Sequence, residues 1–399
     1  MGALVVAGAD LVLPDRVARG ATLVIEGGRI VDIVDRVVDG PAGAVRVDGR
    51  GALAVPGFVD AHIHGVDGID VLSGDGAVAR VARRLPRYGV TAFCPTTVAC
   101  PAADLTAMLQ ATRQARAEAV PAAARVLPAH LESNFISPSY RGAQPAACLR
   151  RPPGCGPPTA DAEFSSDDIL AAIDDGADVV GIVTMAPELE GGLDLVRRLA
   201  GSGIRVSIGH TGATYEQAIA AIEAGARRVT HLFNRMTPMT HRAPGVPGAA
   251  FDREDVAAEI IGDGAHVHPV MMRLAVGIKG VGRVMAITDA TAGAGLPPGS
   301  RARLGPSEIV VGDRVATLAD GTLAGSVVTM DRVFAVLVRE VGLSVSDAAR
   351  LCATTPAAEL GLEGQGRLVV GAEADVAVLD SDSFRVRQTL VGGTPALEP

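Results

Sequence analysis

The chain has 399 residues, 48% of them apolar and 20% charged, enough to bury one large or two modest cores without any tryptophan. Its formal net charge of -9 argues against nucleic acid or an anionic membrane as partner. Lys279 is the single lysine, so nearly all positive charge is arginine; a local basic pocket for a small anionic molecule stays open.

Residues 3–55 read as short strands between Gly and Asp breakers, with no helical period, and look like a small all-β unit completed later in the chain. No basic stretch followed by an apolar core opens the sequence, so no signal peptide is expected. From Pro56 onward the pattern becomes strand then helix, repeated. Strands are expected at 57–61, 90–95, 125–131, 178–184, 204–209, 228–232, 257–262 and 283–288. Helices are expected at 102–119, 166–175, 215–224 and 269–280, with Asp104, Ser166 and Thr214 as starts or caps. Eight strands alternating with helices over roughly 250 residues predict an α/β fold, a parallel (β/α)8 TIM-type barrel. An open doubly wound sheet is the second choice, but no GxGxxG turn follows the first strand.

Residues 136–163 form a long loop rich in Pro, Gly and Arg, of the kind that serves as a lid or binding loop. Residues 307–318 read as a hairpin inserted after the eighth strand, followed by helices at 329–341 and 346–353. Residues 374–380 and 385–393 return to strand character and are expected to pair with residues 3–55. The chain then divides into a small β-sandwich domain from residues 1–55 and 356–399, and a barrel catalytic domain over 56–355. Cys94, Cys100, Cys148, Cys155 and Cys352 are odd in number and scattered, which suits reduced thiols and a cytoplasmic protein. Cys148 and Cys155 lack the second pair that a zinc knuckle needs.

The chemistry is concentrated where strands end. In PGFVDAHIHG, residues 56–65, His62 and His64 are two apart and project on the same side of a strand. Two imidazoles so placed can hold one divalent ion. Alone, the pair could equally be surface histidines at a strand-to-loop junction. Strand three ends in His130-Leu131-Glu132, strand five in His210 and strand six in His231 followed by Asn234. Strand seven is followed by His266 and His268, and strand eight by Asp289. A lone histidine is more often a core hydrogen-bonder, and a lone Asp after a strand a turn residue. Here seven of the eight histidines fall at or just after strand ends, the end at which a barrel of this type carries its site. Imidazoles and carboxylates without thiolates suit zinc or iron, with manganese or cobalt next. An ion with an open position makes hydroxide from water near neutral pH, and a carboxylate beside it can move the proton to a leaving group. Asp289 is the candidate for that role.

These residues lie in motifs that resemble the amidohydrolase superfamily over essentially the whole chain. The motifs are PGFVDAHIHG, YGVTAFCPT, HLESNFISPSYRGAQP, IVTMAPE, IGHTGATYEQA, VTHLFNRMTPMTHRAPG, DGAHV, ITDA and LAGSVVTMDR. Within the superfamily the chain is similar to the N-acetylglucosamine-6-phosphate deacetylases. The resemblance implies hydrolysis of an N-acetyl group from an amino sugar phosphate by metal-bound hydroxide, with one or two divalent ions per subunit, zinc first. It implies Glu132, His210 and His231 as the principal metal site, His62 and His64 as a second shared through Glu132, and Asp289 as acid/base beside the ions. It implies that His266 polarises the acetamido carbonyl and that Asn234, Arg242 and the backbone after Asn234 hold the phosphate. Gln144 would sit over the sugar, Leu323 and Ala324 would line the acyl end, and His241 would touch phosphate, a neighbouring subunit or neither. A homodimer is a further expectation of the resemblance.

The sequence departs from the family pattern at three places near the site, one of them Gly212 after IGHT, where a polar residue is common. HLESNF stands where HLEGPF is usual, and NRM where NAM is usual, so Arg235 adds positive charge beside the expected phosphate. Another N-acylated anionic substrate, such as N-acetylgalactosamine 6-phosphate, is the first alternative. A deaminase on the same barrel is the next, and a barrel scaffold without catalysis the last. Relatives with a carboxylated lysine at strand four are set aside, because Lys279 falls in a predicted helix.

Overall fold

The structure is a computed structural model that describes residues 2–74, 76–155 and 163–396. Its centre is a parallel barrel of β1 (Phe58–Ile63), β2 (Val90–Thr97), β3 (Ala129–Glu132), β4 (Val180–Met185), β5 (Arg205–Ile208), β6 (Arg228–Val229), β7 (Ala257–Ile261) and β8 (Val284–Ile287). Each pairs with the next in parallel register. The ring closes where the Asp289 amide donates to the His62 carbonyl at 3.0 Å and Ile63 bridges Ala290. The longer strands are buried along their whole length and mostly apolar, as strands covered on both faces must be. All eight expected strands are present. The third is split into Arg125–Val126 and Ala129–Glu132, because Pro128 between them has no N–H for a ladder bond.

The helices form where the capping chemistry predicts, with two shifts. Thr214 caps Tyr215–Ala224 in a reciprocal box with Gln217. Ser165, not Ser166, caps Ser166–Asp175, paired with Asp168. Pro101 precedes Ala102–Ala117, and Asp104 lies in its first turn, where a carboxylate faces the positive end of the helix dipole. The helix expected at 346–353 runs on through a π turn, Arg350–Thr354, into Thr355–Leu360. Pro356 lies just after the π turn, the kind of local irregularity that lets a continuing helix take a residue without an N–H. Ala357, Leu360 and Leu362 then pack against Val59, Ala92, Cys94, Leu127 and Ile182 and plug the N-terminal end of the barrel.

Both ends of the chain meet in one continuous eight-stranded sheet, in which Ala52–Pro56 pairs antiparallel with Val376–Asp380. It carries a separate core that includes Leu11, Leu23, Ile30, Leu368 and Val376. The hairpin expected at 307–318 is the middle of a four-stranded antiparallel sheet, Arg301–Leu304, Ser307–Val311, Val315–Thr317 and Leu323–Ser326. Its last strand bonds to the exit of β8, where the Ser326 amide donates to the Asp289 carbonyl at 2.9 Å. No helix among the described residues is long and apolar enough to cross a membrane.

Candidate active site

The C-terminal ends of the barrel strands bring six of the expected side chains together. His210 Nε2 and His231 Nε2 lie 3.0 and 2.9 Å from Glu132 Oε1 and 3.1 Å from each other. On the other side, His62 Nε2 is 3.6 Å from Glu132 Oε1, and His64 Nε2 is 3.5 Å from Glu132 Oε2. Asp289 Oδ1 closes the ring at 3.4 Å from His62 Nε2 and 3.2 Å from His64 Nε2. Ligand atoms on a tetrahedral ion with bonds of 2.0–2.1 Å sit about 3.3 Å apart, which is the spacing seen here.

The hydrogen bonds behind the rings fix which nitrogen faces inward. His64 Nδ1 donates to the Thr96 carbonyl at 3.0 Å and His210 Nδ1 to the Tyr140 carbonyl at 2.9 Å. A carbonyl only accepts, so Nδ1 carries the proton and Nε2 keeps its lone pair. His62 Nε2 is buried with no hydrogen-bond partner, an orphan that a cation would satisfy. The residues therefore fit a divalent ion, in two groups that share Glu132: His62 with His64, and His210 with His231. The electrostatics agree. Burial opposes charge on Glu132, but His210 and His62 outweigh it and hold the carboxyl well below its ordinary range. Burial likewise lowers the His62 imidazolium, yet Glu132, Glu259 and Asp289 raise it to about 10. Such a field attracts a cation.

Beneath the ring lies a polar floor. His130, two residues before Glu132 on the third strand, makes its hydrogen bonds away from Glu132. Its Nδ1 donates to the Ala61 carbonyl at 3.1 Å, and burial lowers its pKa to about 3, so it is neutral. Its Nε2 must then accept from Thr184 Oγ1 at 2.7 Å. Thr184 Oγ1 in turn meets Thr230 Oγ1 at 2.7 Å, and Thr230 meets Ser207 Oγ at 2.6 Å. Once His130 accepts, the hydroxyls donate in one direction, from Ser207 to His130. The chain crosses the strands that carry Glu132, His210 and His231. Sequence reasoning passed over all three hydroxyl residues, since a buried Ser or Thr reads like any other.

The backbone at the rim is also unusual. His210, His231, Phe233, Arg235 and Asp289 have φ of 47°, 29°, 78°, 49° and 48°. Non-glycine residues seldom adopt this region, and such strain gathers at functional sites. It turns these side chains back over the barrel mouth as the chain leaves each strand.

Above the ring is a cavity of about 270 Å³ lined by His64, Glu132, His210, His231, His266 and Asp289, with Gln144, Asn234, Arg235 and Leu323 around them. His266 Nδ1 meets Asp263 Oδ2 at 2.6 Å, and Asp263 Oδ1 accepts from the Ala265 and His266 amides at 2.8 and 2.9 Å. Gln144 is clamped between the Ala99 amide, 2.7 Å from its Oε1, and Glu132 Oε2, 2.5 Å from its Nε2. It thus contacts a proposed ion-binding residue, where the sequence led to an expectation of sugar contact alone. Arg235 pairs with no carboxylate among the described residues, and Gly142 of the lid loop lies against its guanidinium, so close that a Cβ there would come within 2.7 Å of Nε.

Other expectations are not met in this geometry. His241 and Arg242 are exposed on the loop after β6 and do not line the cavity. Ala324 is buried in the small-sheet core, and Gly325 lines the cavity instead. Ser133 and Asn134 do not alter the pocket wall. Ser133 Oγ donates to the Thr184 carbonyl at 2.6 Å. Asn134 Nδ2 donates to the Cys100 and Cys148 carbonyls at 2.8 and 2.7 Å, tying the lid loop to the exit of β2.

The chain is 38% identical over 403 residues to a Bos taurus N-acetylglucosamine-6-phosphate deacetylase, covering 95% of this chain and 93% of that one. It is 34% identical over 385 residues to an N-acetylgalactosamine-6-phosphate deacetylase of Escherichia coli O157:H7, covering 94% and 98%. A Mycobacterium smegmatis N-acetyl-D-glucosamine-6-phosphate deacetylase mutant, solved in complex with N-acetyl-D-glucosamine-6-phosphate, superposes with a TM-score of 0.86 at 32% identity over the full length of both chains. The model of the amidohydrolase family matches residues 53–396. That span takes in the whole barrel, the imidazole and carboxylate ring and the returning C-terminal strands, and the chain belongs to the amidohydrolase family.

Proposed function

We propose that the protein is a metal-dependent hydrolase that removes the N-acetyl group from N-acetylglucosamine 6-phosphate, giving glucosamine 6-phosphate and acetate. The observation that carries this reading is the convergence of four imidazole Nε2 atoms and Asp289 around Glu132 at the floor of the cavity. The names of full-length relatives support the substrate. His62, His64, Glu132, His210 and His231 would hold one or two divalent ions, zinc first, with Asp289 beside them; a bound ion would activate water and polarise the acetamido carbonyl.

The chain's own residues do the rest. Asp289 takes the proton from the attacking water and returns it to the amine as that leaves. His266, oriented through Nδ1 by Asp263, whose carboxylate favours the charged imidazolium, donates from Nε2–H to the carbonyl oxygen and stabilises its developing charge. Gln144 holds Glu132 in position from the lid and closes the sugar off from water. Asn234 and Arg235 at the mouth take the phosphate, for which a guanidinium offers a bidentate fork. Arg242 and His241, exposed on the same loop outside the cavity, take no part in it, and Leu323 with Gly325 backs the acyl end.

The division into domains, 1–55 with 356–399 and 56–355, belongs to this proposal. The packing of Ala357 and Leu360 against barrel strands supports setting the second boundary a few residues later. A cytoplasmic homodimer is the assembly we infer from the resemblance, and sedimentation tests it. For the chemistry, Asp289→Asn is expected to retain the wild-type metal content and to lose about 10²–10⁴-fold in acetate release. A variant that keeps metal and most of its turnover would remove Asp289 from the mechanism.

A further inference from the structure

The barrel interior below the ring holds charge that the proposed chemistry does not use. Glu259 on β7 and Arg228 on β6 are 0% and 1% exposed, and Arg228 Nη1 stands 4.0 Å from Glu259 Oε1. The one hydrogen bond from the Arg228 side chain among the described residues goes to Met285 Sδ at 2.9 Å. A guanidinium stays charged even when buried. A buried ion pair is commonly no more stable than apolar side chains of the same size. Branched aliphatic side chains ordinarily fill this layer of a barrel. Stability alone therefore gives no reason for the pair. What it touches is His62, whose Nδ1 lies 3.1 Å from Glu259 Oε2.

We infer that Glu259, paired with Arg228, is a positioning residue that fixes the tautomer and ring angle of His62 and so presents His62 Nε2 to the ion between His62, His64 and Glu132. The inference rests on the metal reading of the site proposed above. A carboxylate behind an ion-binding imidazole raises its basicity and locks its orientation. The contrast with His64 is informative, because there the same task falls to the Thr96 backbone carbonyl, which no substitution removes. His62, His130 and Glu259 also have the spacing of a cation group. Both nitrogens of His130 are already engaged, by the Ala61 carbonyl and Thr184, so this inner group positions rather than binds.

The test is zinc binding by the full chain under chelator competition, which counts ions and reads each affinity without any substrate. Wild type is expected to hold two ions, one of which His64→Ala abolishes. Glu259→Leu is expected to weaken that same ion about 10–100-fold and leave the other unchanged, with Glu259→Gln, which keeps an acceptor, in between. Glu259→Leu strands Arg228, so the double variant Glu259→Leu/Arg228→Met, which removes both buried charges, serves where the single variant does not fold. A folded double variant that binds both ions as wild type does would overturn the inference. So would a third ion in wild type, or no ion sensitive to His64→Ala. Absence of zinc binding altogether would instead sink the metal reading, and failure of the sugar substrate would leave these results untouched.

Discussion

At the scale of single residues, the site works by setting charge against burial. Asp263 and His266 show this most simply. Burial lowers the His266 imidazolium, but the hydrogen bond and charge of Asp263 outweigh it and raise the pKa above the ordinary value. A raised histidine contributes stability that is fully present below its unfolded pKa of about 6.5 and fades as pH rises through the folded value. Asp263→Asn should therefore cost most stability in acid, with the gap to wild type narrowing as pH rises. Urea unfolding across pH measures it, and a gap of constant size would contradict the pairing. The residues proposed to hold the ions, and Asp289 beside them, were legible in the sequence, because His62, His64, Glu132, His210, His231 and Asp289 each end or follow a strand, and strand ends share one face of a barrel. Arg242 was not placed as expected. Its motif fixes its neighbours in sequence, but not which way a loop with left-handed turns at His231, Phe233 and Arg235 projects it.

At the scale of elements, the floor and the lid hold the ring in register. The hydroxyl chain from Ser207 through Thr230 and Thr184 to His130 ties β3, β4, β5 and the exit of β6 together below the ligands. Thr184→Val should leave His130 Nε2 and Thr230 Oγ1 short of a buried partner and cost about 1–3 kcal/mol, whereas Thr184→Ser should be nearly neutral. Chemical denaturation of the two variants decides it; equal stabilities would mean the chain does not matter. Asn134 is the matching anchor for the lid, and Asn134→Ala should speed tryptic cleavage at Arg141 by loosening the loop between its ends. An unchanged cleavage rate would show that Gln144 and the remaining bonds suffice. Period and breakers made the strands and most helices readable. The floor was not, since hydroxyls on three separate strands leave no local pattern. The run of helix past Ala353 was also hidden, because Pro356 reads as a stop unless a π turn carries the chain across it.

At the scale of the molecule, the barrel core reaches one face of the terminal sheet, at Ala377 and Leu379, and a line of aromatic rings lies along that reach. Phe334 sits between Phe58 of β1, 5.7 Å away, and Phe384 beside the terminal sheet, 5.4 Å away. It is fully buried. Phe334→Ala should cost about 3–5 kcal/mol, read as a drop in melting temperature. With so few aromatics in the chain, no other residue nearby can replace that contact. The terminal sheet thus braces the barrel from the side where β1 begins, away from the mouth that carries the ring and cavity. The most direct test of the whole account is kcat/KM for acetate release by the zinc-loaded protein on N-acetylglucosamine 6-phosphate. The unphosphorylated sugar and the galactosamine and mannosamine 6-phosphate epimers are run beside it. The account predicts turnover that favours the gluco phosphate and falls sharply without the phosphate. Metal-loaded protein that releases no acetate from any of them would contradict the amino sugar assignment.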